Sequence, residues 1–174
     1  MFPQTVDVAL QYAKDVVKGK EPASKKVRQA CERHLKDLKK VKRRRYPYYF
    51  NKELAQYYID IFGLLKHSKG EWGGKPVYLE PWQLFIVASL FGWLKKGENI
   101  RRFKTAYIST ARKNGKSTFL SGIGLELFVA DEEPGVEVYT AATKRDRRRS
   151  HTMKRSGWSK SLLSCWSIWI SFAM

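Results

Sequence analysis

Residues 104–129, KTAYISTARKNGKSTFLSGIGLELFV, restrict the possible folds more than any other stretch of this chain. Lys104 to Ser109 reads as a strand, Gly115 to Val129 as a helix, and Val136 to Ala141 as a second strand. Strand, loop, helix and strand in that order open a parallel α/β sheet. The loop contains Asn114-Gly115-Lys116-Ser117, and a strand delivering its chain through such a loop into a helix suits a bound phosphate. Successive backbone N–H groups and the helix N-terminus then face the anion. Gly115 keeps a side chain out of the way of the backbone's approach. Lys116 neutralises the β- and γ-phosphates, and the Ser117 hydroxyl ligates Mg2+. Asn114 and Thr118 flank that pair. Thr110 occupies the position where such a loop usually begins with glycine, and Arg112 supplies a second cation for the γ-phosphate. The expected ligands are therefore ATP and Mg2+.

The N-terminal region has a different period. Val6, Ala9, Leu10, Ala13 and Val17 recur at helical spacing, and the chain breaks near Gly19. Ser24 caps a second predicted helix with a narrow stripe of Val27, Cys31, Leu35 and Leu38 on a charged cylinder. Asn51 caps a third, with Leu54, Tyr57, Tyr58, Ile61 and Leu65 on the expected buried face. HSKGEWGGKPVYLE, with three glycines and a proline, is a loop or short hairpin. Pro81 then opens PWQLFIVASLFGWLKK, apolar nearly all round until Lys95 and so predicted to be a buried helix. The reading divides the chain into a helical region 1–66, a partial nucleotide-binding domain 67–146, and a tail 147–174. The fold class is α/β: a helical N-terminal region followed by the start of a parallel P-loop sheet, left incomplete.

A formal net charge of +18 points to polyanions, because cations held against a phosphate backbone release its counterions. The densest part is KDLKKVKRRR, 36–45, followed by the aromatic run YPYYF, a combination that suits nucleic-acid backbones and bases. No apolar run reaches the roughly 18 residues of a membrane span, and the N-terminus lacks a secretory pattern, so the expectation is a cytoplasmic protein without a membrane partner. Cys31 and Cys165 stand in no metal-ligand spacing.

The stretch ISTARKNGKSTFLSG resembles the altered phosphate loop of tailed-bacteriophage terminase large subunits, the ATPases that pump DNA into capsids. GGKPVYLEPWQLFIVASLFGW is similar to the family's segment upstream of that loop, ALQYAKDVV and QACERHLKDL resemble its N-terminal helices, and VYTAATKRD its segment after the second strand. The resemblance covers roughly residues 6 to 146. It implies that Gln83, after Pro81-Trp82, contacts adenine. It further implies double-stranded DNA as partner, a terminase small subunit and a capsid portal for the intact parent, a homo-oligomeric motor, and the bacterial host cytoplasm. Two other readings stand beside it: a non-catalytic basic nucleic-acid-binding fragment using Lys36 to Arg45 with the neighbouring tyrosines, and an unrelated P-loop protein such as a small nucleotide kinase.

After Asp146 the composition changes. Residues 147–174 hold no Asp or Glu, seven serines and three of the six tryptophans. The family's Gln-Ala after Arg-Asp is missing. Back-translation in a neighbouring register yields AKIAYDEAVGMVKKSPELLEYLDIFRD, which restores acidic residues and an amphipathic helix, so the tail is expected to be an out-of-frame product. No strand ending in paired carboxylates follows Val138 to hold Mg2+. Little or no hydrolysis is expected of this chain, and a sheet reduced to two strands is expected to be marginally stable and prone to aggregate.

Overall fold

Four helices and a two-stranded ribbon build the first of two units, Met1–Phe103; the second is Lys104–Met174. The computed structural model describes residues 3–67, 73–111, 114–129 and 168–171. Helix α1, Val6–Lys18, buries Val6, Ala9, Ala13 and Val16, the row that recurs every third or fourth residue along one helix face. Gly19 ends it with a left-handed φ of 78°, and its N–H returns to the carbonyl of Val16. Helix α2, Lys25–Lys40, starts at Ser24, whose hydroxyl accepts from the N–H of Val27 at 3.4 Å. Helix α3, Lys52–Leu64, starts at Asn51, whose carbonyl oxygen Oδ1 accepts from the N–H of Leu54 at 3.0 Å. Both caps stand at the residues that the sequence pattern indicates.

Two buried faces differ from expectation. In α2 the buried residues are Cys31, His34 and Asp37, while Val27 is 36% exposed. The stripe turns toward two polar side chains because both find partners in the interior. In α3 the buried row is Ala55, Tyr58, Ile59 and Phe62, and Tyr57 faces solvent. Apolar residues surround most of this helix, so the packing partner rather than the periodicity selects the face.

Helix α4, Pro81–Gly92, is the central element, packed on both α1 and α3. Tyr58 of α3 stacks on Phe91 of α4 with ring centroids 4.1 Å apart. The helix is shorter than predicted, since Trp93–Lys95 leaves it as strand β2, antiparallel to β1, Tyr48–Phe50. Gly92 permits that exit: a Cβ there would lie 2.5 Å from Cε2 of Phe50 and 2.9 Å from Cβ of Ala55. The aromatic run beside the basic segment is thus a strand, paired Tyr48 to Lys95 and Phe50 to Trp93. Burying Trp93, Phe62 and Phe91 completely contributes about 2 to 3 kcal/mol each from the apolar area removed from water.

In the second unit, strand β3, Thr105–Ile108, precedes helix α5, Lys116–Val129. This is the predicted strand, loop and helix, following a helical region as expected. The second predicted strand, Val136 to Ala141, lies outside the described residues, and the described partner of β3 is instead β4, Ile168–Ser171, antiparallel with Thr105 opposite Ser171. Helix α5 buries Phe119, Leu120, Ile123, Glu126 and Leu127.

Candidate nucleotide site

Between β3 and α5 the chain must reverse from extended to helical within a few residues. Gly115 makes the reversal with φ of 65°, a left-handed conformation that a side chain disfavours. Its carbonyl accepts the first intrahelical hydrogen bond, from Phe119 N–H at 2.9 Å. The amides of Ser117 and Thr118 therefore sit in the first turn, where the helix itself offers no acceptor and its dipole is positive. Asn114 closes the loop from the other side: its Nδ2 donates to Oγ1 of Thr110 at 3.3 Å. Thr110, in the place of the usual glycine, thus ties the start of the loop to its end. Asn114 and Gly115 are exposed, and Lys116, Ser117 and Thr118 are half-buried at the mouth of the helix. Arg112 lies outside the described residues, as do the acidic residues Asp131, Glu132 and Glu133.

The cradle suits a magnesium nucleotide in its donor set. Magnesium commonly takes one or two protein oxygens and fills its octahedron with phosphate oxygens and water. Ser117 offers one hydroxyl at the correct end of α5. Among the described residues no three His, Cys, Asp or Glu side chains gather as a metal cluster.

Gln83 belongs to the first unit and is buried in α4, with 7% exposure. Its Oε1 accepts from Glu80 N–H at 2.8 Å, while the Glu80 side chain accepts from the backbone of Gln83, a reciprocal capping box. The cap occupies the oxygen of the amide, and Nε2 carries the two donors that a nucleobase would accept from.

The basic segment divides by exposure. Lys36, Lys39, Lys42, Arg43, Arg44 and Arg45 are exposed around the end of α2 and the following turn. The tyrosines beside them are engaged within the chain: Arg102 donates from Nη1 to the Tyr46 hydroxyl at 2.9 Å and lies 4.6 Å over the Tyr48 ring, and Tyr49 donates to Asn99 at 2.8 Å. Sequence reading missed the group behind them. Asp37 is buried and ion-paired to Arg102 at 2.8 Å and to Lys40 at 3.1 Å. Burial pushes its carboxyl up, but the hydrogen bonds from Arg102 and Lys40 outweigh that and hold it below the usual carboxylate range. One sequence signal was available: His34 and Asp37 are three apart and share the helix face of Cys31.

Helix α5 carries a buried acid that the site reading did not include. Glu126 has 0% exposure, and neither carboxyl oxygen has a hydrogen-bond partner among the described residues. Burial pushes this carboxyl up to about 10, so it is neutral at physiological pH.

Residues 81–155 match the family model for the terminase large subunit, ATPase domain. No curated protein and no solved structure matches the chain. The match starts at the first residue of α4 and includes β3, the loop and α5. Among the described residues no helix is long and apolar enough to cross a membrane.

Proposed function

We propose that this chain, which belongs to the terminase large subunit family through its ATPase segment 81–155, binds MgATP at the turn into α5 and derives from a motor that packages double-stranded DNA. In this reading Lys116 neutralises the β- and γ-phosphates, the amides around Gly115 to Thr118 receive phosphate oxygens, and Ser117 takes one position on Mg2+. Arg112 meets the γ-phosphate and Gln83 donates from Nε2 to adenine. The bound metal supplies charge neutralisation between the phosphates. A homo-oligomeric parent with a small subunit and a capsid portal as partners, acting in the bacterial host cytoplasm, completes the proposal.

The observation that carries it is Gly115: its left-handed φ of 65° turns β3 directly into the N-terminus of α5, the geometry that a phosphate cradle needs. Equilibrium binding of labelled ATP with Mg2+ tests it. Lys116→Ala should abolish binding and Ser117→Ala should remove its Mg2+ dependence. Equal binding by Lys116→Ala and the parent chain would refute the assignment. Turnover is expected to be negligible, because the acidic residue that completes such a site on a later strand is not recognisable in the sequence after Val138.

Exposed Lys36, Lys39 and Lys42 to Arg45 favour a second reading, a nucleic-acid-binding fragment without hydrolysis. Replacing the run 42–45 by alanine should flatten the salt dependence of duplex binding by about one unit of slope for each phosphate that is no longer neutralised. The tail's composition supports an out-of-frame origin for 147–174, and reading the gene across codon 147 in both registers tests it. An early stop codon in the alternative register would end that idea.

A further inference from the structure

A cavity of about 40 Å³ opens between α2 and the end of α4, lined by Arg33, His34, Asp37, Ser89, Trp93 and Arg102 among others. The chemistry of its wall is one-sided. Trp93 Nε1–H donates to His34 Nδ1 at 3.1 Å, and an indole nitrogen can only donate, so Nδ1 carries no proton. The neutral ring therefore bears its hydrogen on Nε2. The Ser89 hydroxyl lies 3.2 Å from the same Nδ1 and directs its proton there. His34 is 4% exposed, yet Nε2 has no hydrogen-bond partner among the described residues. A buried donor left unsatisfied costs about 1 to 3 kcal/mol, so its retention calls for an acceptor.

The surrounding charges narrow what that acceptor is. Asp37, the carboxylate of the wall, is already engaged by Arg102 and Lys40. Arg102 is in turn held by Asp37 and Tyr46. Arg33 is different: it is exposed, lies 5.1 Å over the Phe103 ring, and makes no carboxylate contact among the described residues. The uncommitted polar groups are thus an N–H donor inside and a guanidinium at the rim. Such a volume holds about three waters by the usual 10 to 15 Å³ each, which suits the oxygens of one tetrahedral oxyanion.

We infer that this cavity is a second anion site, taking a single phosphate group through His34 Nε2–H and the Arg33 guanidinium, independent of the loop at Lys116. A neutral imidazole and an arginine fork together accept a phosphate without needing the histidine to charge. Free inorganic phosphate and the terminal monoester of a nucleic-acid strand share this chemistry.

The test uses the full chain with Lys116→Ala as background, so that the α5 loop does not compete. Inorganic phosphate is titrated while the His34 Nε2–H and Trp93 Nε1–H resonances are followed by nitrogen-edited NMR. Saturable shifts of both are expected, with binding at least tenfold weaker in Arg33→Gln, an exposed change that leaves the core intact. A 5′-phosphorylated hexanucleotide is compared with its unphosphorylated form in the same assay. Preference for the phosphorylated strand identifies a strand end as the source, and response to inorganic phosphate alone identifies the free anion. Absence of any shift at His34 with both probes, or equal affinity in Arg33→Gln, overturns the site.

Discussion

The two units bury polar groups in opposite ways. In the first, His34 and Asp37 are almost completely enclosed, but Trp93 and Ser89 donate to the imidazole, and Arg102 and Lys40 neutralise the carboxylate. In the second, Glu126 is enclosed just as fully, and both its oxygens lack a partner among the described residues. Burial alone is therefore no measure of how settled a region is. A polar group that has its partners orients a core, whereas one without them holds free energy that a substitution or a proton can release.

Trp93 is the point at which the first unit is most open to attack. It is 1% exposed, donates to His34, and lies 5.2 Å under Arg102 and 5.4 Å from Phe50. Trp93→Ala should cost about 5 kcal/mol, the upper end for truncating a buried aromatic, because His34 also loses a partner. Amide hydrogen exchange should show α1 to α4 losing protection. A loss of less than about 1 kcal/mol would mean that the His34 cluster does not organise this unit.

The second unit should respond in the other direction. Glu126 keeps its proton to about pH 10 in the folded state, against about 4.3 when unfolded, so its contribution is complete below pH 4.3 and is lost as pH rises toward 10. At pH 7.5 the loss is about 4 kcal/mol at 1.36 kcal/mol for each pH unit. Glu126→Leu should recover most of it, seen as slower exchange of the α5 amides at pH 7.5 and no gain at pH 4. Destabilisation by Glu126→Leu would show that the carboxyl has a partner after all.

How far these contrasts were readable beforehand depended on distance along the chain. Ser24, Asn51 and Pro81 announced helix starts because a cap is made within three residues, and Gly115 announced the turn for the same reason. The loop residues Lys116 and Ser117 were legible as candidates on that local basis, whereas Gln83 could be recognised only by resemblance, and its capping bond to Glu80 is visible only in the folded chain. Non-local choices were hidden. Whether Tyr48 faced nucleic acid or Arg102 depended on residues at the far end of the unit, and so did the pairing of β1 with β2. The face of α3 was hidden for a different reason, since an apolar helix admits several registers and α4 selected the row with Phe62.

Acid should sharpen the difference between units further. Burial pushes His34 down to about 4, although nearby Asp37 opposes that, while an unfolded imidazole titrates near 6.5. The unfolded chain therefore takes up the proton first as pH falls. The stability contributed by the neutral ring is complete above about 6.5 and is lost progressively toward 4, by about 3 kcal/mol in total. His34→Gln should flatten this acid limb in a pH series of α4 exchange rates. The α5 amides should become more protected over the same interval, because Glu126 runs the opposite way, and parallel slopes in both units would contradict the contrast.

The smallest expected effect isolates a helix end from either core. Asn51 sits between β1 and α3, and its side chain accepts from Leu54 N–H at 3.0 Å while its own N–H donates to the Gly92 carbonyl at 2.8 Å. Asn51→Ala removes the first bond and keeps the second, so it should cost about 1 kcal/mol, the usual value of an N-cap. Asn51→Asp should retain the cap and add a favourable charge at the positive end of α3. Urea denaturation of the alanine and aspartate variants, followed by tryptophan fluorescence, distinguishes the two. Should the alanine variant lose about 3 kcal/mol or more, well beyond what a cap supplies, the cap would be transmitting strain into the β1–β2 ribbon, and the separation drawn between local caps and the partnered interior around Trp93 would have to be given up.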